Sequence, residues 1–420
     1  MARRAFALSI ICLPLFAQPK PDWPQWGGPT RDFHSASGPQ FAVAWPATGP
    51  AKVWSRPLGA GHAQVAVQDG MLYTTYRQGS TEIVIAADAA TGATKWEHKY
   101  EAPFSSEAGS HGHGPYATPL IVGDRVFTAG STGILQCLEK RTGQVQWSQD
   151  LWAKHGGNRL VYGYASSPLA YRDTVIVPIG GEGKALAAFR QTDGTLVWKK
   201  GDAGNAYSSP QLISVGGLDQ VAIVMRQHVV AVNPLNGDVQ WSVQHRADYG
   251  INISTPLWVP ESNILVVSSA YGAGTRALRL TRSGNSVGPR ELWHNPKFYV
   301  RHANLIHHRG LLWGANGGAE TFHAADLKTG QIVWQKRAFP RANSVLLPDA
   351  RIVILDENGE LTLARPSVNG LESLSHAQVL NGESWTPPSL VGTRLYVRNR
   401  AEMAVFELGT APVKPGKSAR

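Results

Sequence analysis

A glycine four residues ahead of a tryptophan recurs along this chain, at Gly92/Trp96, Gly143/Trp147, Gly194/Trp198, Gly237/Trp241 and Gly330/Trp334. Each pair closes a run of alternating apolar residues. Looser copies at Gly284/Trp293 and Gly370/Trp385, with Trp54 alone near the start, complete a series of eight indoles spaced 41 to 52 residues apart. A period of that length belongs to a stacked or radial repeat, in which each unit buries its apolar face only against its neighbours.

Within each unit the pattern reads as an apolar strand, a polar Thr-Gly type of turn and a short strand carrying the Trp. Asp88, Glu139, Arg190, Asn233 and Asp326 stand ahead of those turns, where an Asp or Asn bonds the backbone two residues on and Gly supplies positive φ. Ala86, Cys137, Ala188, Ala231 and Ala324 form a uniformly small column two residues earlier, as expected where neighbouring sheets come closest. Two further strands precede each unit, for example around Gly123-Asp124 and Gly392-Thr393. Four strands per unit is the content of a propeller blade. After Trp385 only three strands remain, and the strand around Trp54 is free to supply the fourth. The expected fold is therefore all-β, an eight-bladed β-propeller of four-stranded antiparallel blades, closed by pairing an N-terminal strand with the last blade, which removes a free sheet edge.

Such a ring uses nearly all of the 420 residues. The expected division is a signal peptide over 1–17, an extended cap segment over 18–49, the propeller over 50–408 and a basic tail over 409–420. Arg3 and Arg4 followed by the apolar run from Ala5 to Phe16 are too short to span a bilayer and read as a secretory signal, so a periplasmic or secreted location is expected. Cys12 lies inside that signal, which leaves Cys137 as the one mature cysteine and no intramolecular disulfide. Its place in the small column marks it as a buried stand-in for alanine. Of the formal charge of +10, five positive charges are Arg3, Arg4, Lys414, Lys417 and Arg420. The remaining charge of about +5 is spread over the ring with no basic, aromatic-interleaved run, which argues against nucleic acid as a partner.

The small-x-Asp-x-x-Thr-Gly-x-x-x-Trp pattern, as in 86–96 and 324–334, resembles the pyrroloquinoline-quinone-like (PQQ-like) propeller repeat. The opening Asp22-Trp23-Pro24-Gln25-Trp26-Gly27-Gly28-Pro29 is similar to that of exported bacterial proteins with this repeat. The resemblance covers about 22–408. It implies one of two functions: a cofactor-free binding propeller of the kind represented by the outer-membrane barrel-assembly lipoprotein, or a quinoprotein alcohol dehydrogenase holding PQQ and calcium on the axis. The adjacent cysteine pair found over the quinone in many such dehydrogenases has no counterpart here, nor is there a haem Cys-x-x-Cys-His motif. Glu182, Asp248 and Glu320 are the carboxylates nearest the expected blade tops. The chain also lacks the lipoprotein's anchoring cysteine.

In a propeller the innermost strands line the axis, and ligands gather where those strands begin. Tyr116, Tyr164, Tyr207, Asn252 and Asn304 stand ahead of Ser/Thr-Pro or equivalent strand starts, and are expected to ring the channel mouth as amphipathic ligand contacts. His111 and His113, in Gly109-Ser110-His111-Gly112-His113-Gly114, are expected to lie over the same mouth as a polar loop rather than as a metal pair. Trp54, Trp96, Trp147, Trp198, Trp241, Trp293, Trp334 and Trp385 are assigned to inter-blade packing. His307 and His308 alternate on a strand, one buried and one exposed. Glycine clusters at 180–183 and 272–274 open no helix and read as hairpin turns, Gly416-Lys417-Ser418 lacks the rest of a phosphate loop, and no Gly-x-Ser-x-Gly elbow occurs. The reading is an exported, non-catalytic propeller that binds a protein, peptide or small polar ligand, without catalytic residue, metal or cofactor. A PQQ- and calcium-dependent oxidoreductase is the alternative.

Overall fold

The computed structural model describes residues 22–35, 40–104, 114–316 and 320–410. The expected signal segment and nearly all of the expected basic tail fall outside them, as do His111 and His113. The described residues form eight four-stranded antiparallel sheets, with each meander running from an inner strand outwards. Blade 1 comprises Ala66–Gln68, Met71–Gln78, Thr81–Asp88 and Thr94–Glu101. Blades 2 to 7 follow over 120–150, 169–200, 211–244, 257–295, 306–337 and 343–378. Blade 8 joins Ser389–Val391, Arg394–Arg398 and Glu402–Glu407 to Ala51–Pro57 from the other end of the sequence, with Trp54 paired to Val405. The ring is thus closed by its first and last strands.

The Gly-x-x-x-Trp signature acts between blades, not within one. Trp54 lies over Gly92, Trp96 over Gly143, Trp147 over Gly194, Trp198 over Gly237, Trp293 over Gly330 and Trp334 over Gly370. A Cβ on Gly194 would come within 2.7 Å of the Trp147 ring, and Gly194 has φ of +71°. Glycine is needed here both for positive φ and to admit the indole of the preceding blade. The indole N–H then donates to a carbonyl beside the same turn: Trp54 to Ala89 at 3.2 Å, Trp96 to Lys140 at 3.1 Å, Trp147 to Gln191 at 2.9 Å, Trp198 to Pro234 at 3.0 Å and Trp293 to Leu327 at 2.9 Å. Blade 5 lacks that turn, and Trp241 donates instead to Gln220 Oε1 of its own sheet at 3.0 Å.

The small column has a more local cause than closest approach of sheets. Ala86, Cys137, Ala188, Ala231 and Ala324 are the cross-strand partners of the five tryptophans, each next to a register shift. The short side chain leaves room for the ring beside it. Cys137 is fully buried, and burial pushes its thiol up to about 12, so it is protonated and inert. Asp88 Oδ1 accepts from the N–H groups of Ala90 and Thr91, both at 3.0 Å, as its turn position implies.

Trp385 does not belong to this series. It lies on the connection between Gly370–Gln378 and Ser389–Val391. In blade 7 the place paired next to the register shift is held by Ser375, opposite Leu363. His307 and His308 are both half-buried rather than split, with His307 Nδ1 3.3 Å from Glu261. The glycine cluster at 180–183 does lie between paired strands of blade 3, and that at 272–274 turns into the strand Gly274–Ser283 of blade 5, with Gly274 paired to Ser269.

Candidate functional site

The Ser/Thr-Pro strand starts form a girdle around the axis. Gln64 N–H donates to Thr118 Oγ1 at 3.1 Å, Thr118 N–H to Ser167 Oγ at 2.9 Å, and Ser167 N–H to Ser209 Oγ at 2.9 Å. On blade 6 Asn304 takes the same role, its Oδ1 accepting from Thr255 N–H at 2.9 Å. Each hydroxyl or amide therefore satisfies a buried backbone donor of the preceding blade rather than its own turn.

Above this girdle lies a cavity of ≈ 180 Å³ to which all eight blades contribute just ahead of their inner strands. His62, Tyr116 and Trp385 form part of its wall, with Ser167 and Ser209 of the girdle and Ile251, Ile253, Arg301, His302 and Arg341 completing the circuit. Tyr162, Tyr207 and Tyr271 line it as well. The rings are ordered: Tyr116 stacks on His62 (5.6 Å between centroids, 6° between planes), His62 on Trp385 (5.5 Å, 24°), and Trp385 on His302 (4.6 Å, 29°). Trp26 enters from the N-terminal segment, and its indole N–H donates to Thr255 Oγ1 at 2.8 Å.

Two of the expected site residues, Tyr116 and Tyr207, line this cavity. Burial pushes both phenols up to about 12, so they are protonated and able to donate at neutral pH. Tyr164 is fully buried in the core of blades 2 and 3, its hydroxyl donating to Pro178 O at 3.0 Å. Asn252 is also fully buried, donating to Met225 O at 2.7 Å and Arg226 O at 3.2 Å. Tyr164, Asn252 and Asn304 support the mouth but do not line it. Sequence reasoning missed Trp26, His62, Tyr271, Arg301, His302, Arg341 and the role of Trp385. His62, His302 and Trp385 stand ahead of inner strands as Tyr116 does, so applying the same rule to blades 1, 6 and 8 would have found them.

The cavity is cationic. Arg301 Nε donates to Tyr271 Oη at 2.9 Å and its guanidinium lies 5.1 Å from the Tyr271 ring centre. Arg341 packs 5.5 Å from the Trp385 ring centre, and its charge is matched by Glu357 at 2.7 Å, which also accepts from Trp385 Nε1 at 3.0 Å. No described lining residue is acidic. Glu182, Asp248 and Glu320 are exposed and lie off the lining. Among the described residues no three His, Cys, Asp or Glu side chains come together as a metal site.

The N-terminal segment threads the channel beneath this cavity. Trp23 pairs with Val67 of blade 1, Ile121 N–H of blade 2 donates to Pro24 O at 2.8 Å, and His34 bridges to Leu346 of blade 7. Arg31 donates to Pro168 O at 3.1 Å and Ser167 O at 3.4 Å. A second cavity, of ≈ 440 Å³, lies between this segment and the inner strands of blades 2 to 5.

A family model described as "Outer membrane protein assembly factor BamB" matches residues 42–183 and 80–336 of the chain. A protein of Yersinia pestis with that same description is 25% identical over 301 residues, covering 68% of this chain and 72% of its own length. A tetrathionate hydrolase of Acidithiobacillus ferrooxidans is 23% identical over 370 residues, covering 74% of this chain and 66% of its own. The solved quinohemoprotein alcohol dehydrogenase of Comamonas testosteroni superposes with a TM-score of 0.66 at 15% identity, over 94% of this chain and 82% of that one, a likeness of fold alone.

Proposed function

The chain belongs to the PQQ-like repeat propeller family described by the assembly factor BamB, and on that premise we propose that it is an exported, non-catalytic propeller that binds a ligand or a partner's peptide in the axial cavity. One observation carries the reading: a mouth built by all eight blades offers stacked rings and the Arg301 guanidinium, with no lining carboxylate among the described residues. Such a wall favours a flat or ring-shaped group that carries negative charge, free or on a partner protein. An outer-membrane assembly role, for which the Yersinia relative is named, is compatible with this mode of binding. Among the described residues no helix is long and apolar enough to cross a membrane.

The oxidoreductase alternative asks the same cavity to hold calcium beside the quinone. Calcium is held by several oxygen ligands, carboxylates foremost, and the described lining offers serine and tyrosine hydroxyls with two arginines instead. These residues do not fit the ion, and no step of catalysis is derived through it.

Calorimetric titration with 4-hydroxyphenylacetate and its uncharged amide tests the proposal. The acid is expected to bind at least tenfold more tightly than the amide, and Arg301→Gln to remove that difference. Absence of binding by either compound, or equal affinity for both, would refute it. Stoichiometric uptake of PQQ that depends on calcium, read from its absorption spectrum, would favour the alternative.

A further inference from the structure

Among the described residues two buried arginines, Arg31 and Arg398, have no carboxylate partner, and they differ in one respect. Arg398 is fully buried and its three nitrogens reach the carbonyls of Gly59, Gly61, Ala63, Thr75 and Asn399 and the Thr74 hydroxyl, so that each nitrogen has an acceptor. It is a staple for the 59–63 loop and lines no cavity described here. Arg31, 3% exposed, has fewer acceptors. Its Nη1 donates to Gln25 Oε1 at 3.2 Å and Pro168 O at 3.1 Å, its Nη2 reaches Ser167 O at 3.4 Å, and its Nε has no acceptor. Burial lowers the Arg31 guanidinium to about 9, still charged at neutral pH. A guanidinium carries five N–H donors in a fixed fork; three are engaged, leaving Nε–H and one Nη2–H.

Arg31 lines the second cavity, and so does Gln211 of blade 4, 4% exposed. Gln211 Nε2 donates to Thr30 O at 3.3 Å and Leu212 O at 3.2 Å, while its Oε1 is buried without a donor. Among the described residues the one acidic side chain on this lining, Asp32, is engaged in its own turn: it accepts from Thr30 Oγ1 at 2.7 Å and His34 N–H at 3.1 Å and faces His34 Nδ1 at 3.5 Å. A desolvated cation with spare donors beside a buried acceptor with a spare lone pair is costly when both remain unmatched. One small molecule can satisfy both.

We propose that this second cavity is a binding site for a small hydroxy-carboxylate, whose carboxylate takes the free Nε and Nη2 donors of Arg31 and whose hydroxyl donates to Gln211 Oε1. Two parallel N–H donors match the two oxygens of a carboxylate. The remaining walls, Pro24, Ile121, Leu169 and Trp258 among them, suit the carbon face of a sugar acid. This site is separate from the axial mouth and does not depend on what binds there.

D-glucuronate, with D-glucose as its uncharged counterpart, serves as the probe at constant ionic strength. In the full-length protein glucuronate is expected to raise Tm by several degrees at millimolar concentration, with glucose leaving it unchanged. Arg31→Gln should abolish the shift. Because that variant could fail to fold, Gln211→Glu is the second test: it retains shape, places a carboxylate on the same lining and is expected to weaken glucuronate at least tenfold. Arg301→Gln should leave the shift intact. A wild-type Tm that responds equally to glucuronate and glucose, or a shift that survives both Arg31→Gln and Gln211→Glu, overturns the proposal.

Discussion

At the level of single residues, Gly194 and His245 show what the ring demands. An alanine at Gly194 must hold a left-handed backbone and press its methyl against the Trp147 indole. Overpacking costs about 1–3 kcal/mol and the conformation about 1 kcal/mol more. Gly123→Ala, at φ of +58° with nothing within 4 Å of the added methyl, incurs the conformational part alone. Urea denaturation of the two variants should separate them by at least the overpacking term. His245 is buried, with Nε2 against Ser269 Oγ at 3.1 Å and Nδ1 accepting from Arg276 Nε at 3.2 Å. Burial first, then Arg276 and His294, lower it from 6.5 to about 3. The folded state thus excludes a proton that the unfolded chain accepts, so stability is complete above pH 6.5 and is lost as pH falls towards 3. The loss at this one site reaches about 3 kcal/mol by pH 4. His98, His155 and His323 are lowered by burial in the same direction. The urea midpoint of the wild type should fall between pH 7 and pH 4.5, and His245→Gln should flatten that fall.

At the level of elements, the two kinds of tryptophan separate packing from binding. Trp147→Ala empties an inter-blade wedge and should cost about 3–5 kcal/mol, whereas Trp385→Ala, off the strand series, should change stability far less while abolishing binding of 4-hydroxyphenylacetate. Denaturation and calorimetry on both variants check this. Similarly, Ser209→Ala leaves Ser167 N–H without its acceptor and should cost about 1–3 kcal/mol, read by the same denaturation. Much of this level was legible in the sequence because blade geometry repeats: most wedges have a glycine under them and a small residue beside them, Trp241 over no glycine and Trp54 beside Val405 being the departures, and repetition turns a weak local signal into a strong one. Trp385 was misread because spacing alone cannot tell a strand from the connection after it. Tyr164 and Asn252 were misread for a related reason. Residues ahead of an inner strand alternate between the axis and the gap between blades, and one position's shift exchanges lining for core.

For the molecule as a whole, closure depends on Ala51–Pro57 completing blade 8. Removing this strand uncovers Glu402–Glu407 as a free edge and deletes the Trp54 wedge over Gly92. The shortened protein should lose monodispersity on size-exclusion chromatography and unfold at lower urea than the parent. The eight-fold count was legible because the odd strand at one end matched the missing strand at the other. The axial site was legible only in outline, since a cavity shared by eight blades gathers residues that no stretch of sequence brings together. The clasp between blades also sets an order of events in biogenesis. The strand bearing Trp54 emerges from the ribosome well before its partner, so throughout synthesis of the blades between them the nascent chain carries an orphaned β-edge. Delay in delivering the final forty residues prolongs the interval in which a second chain can capture it.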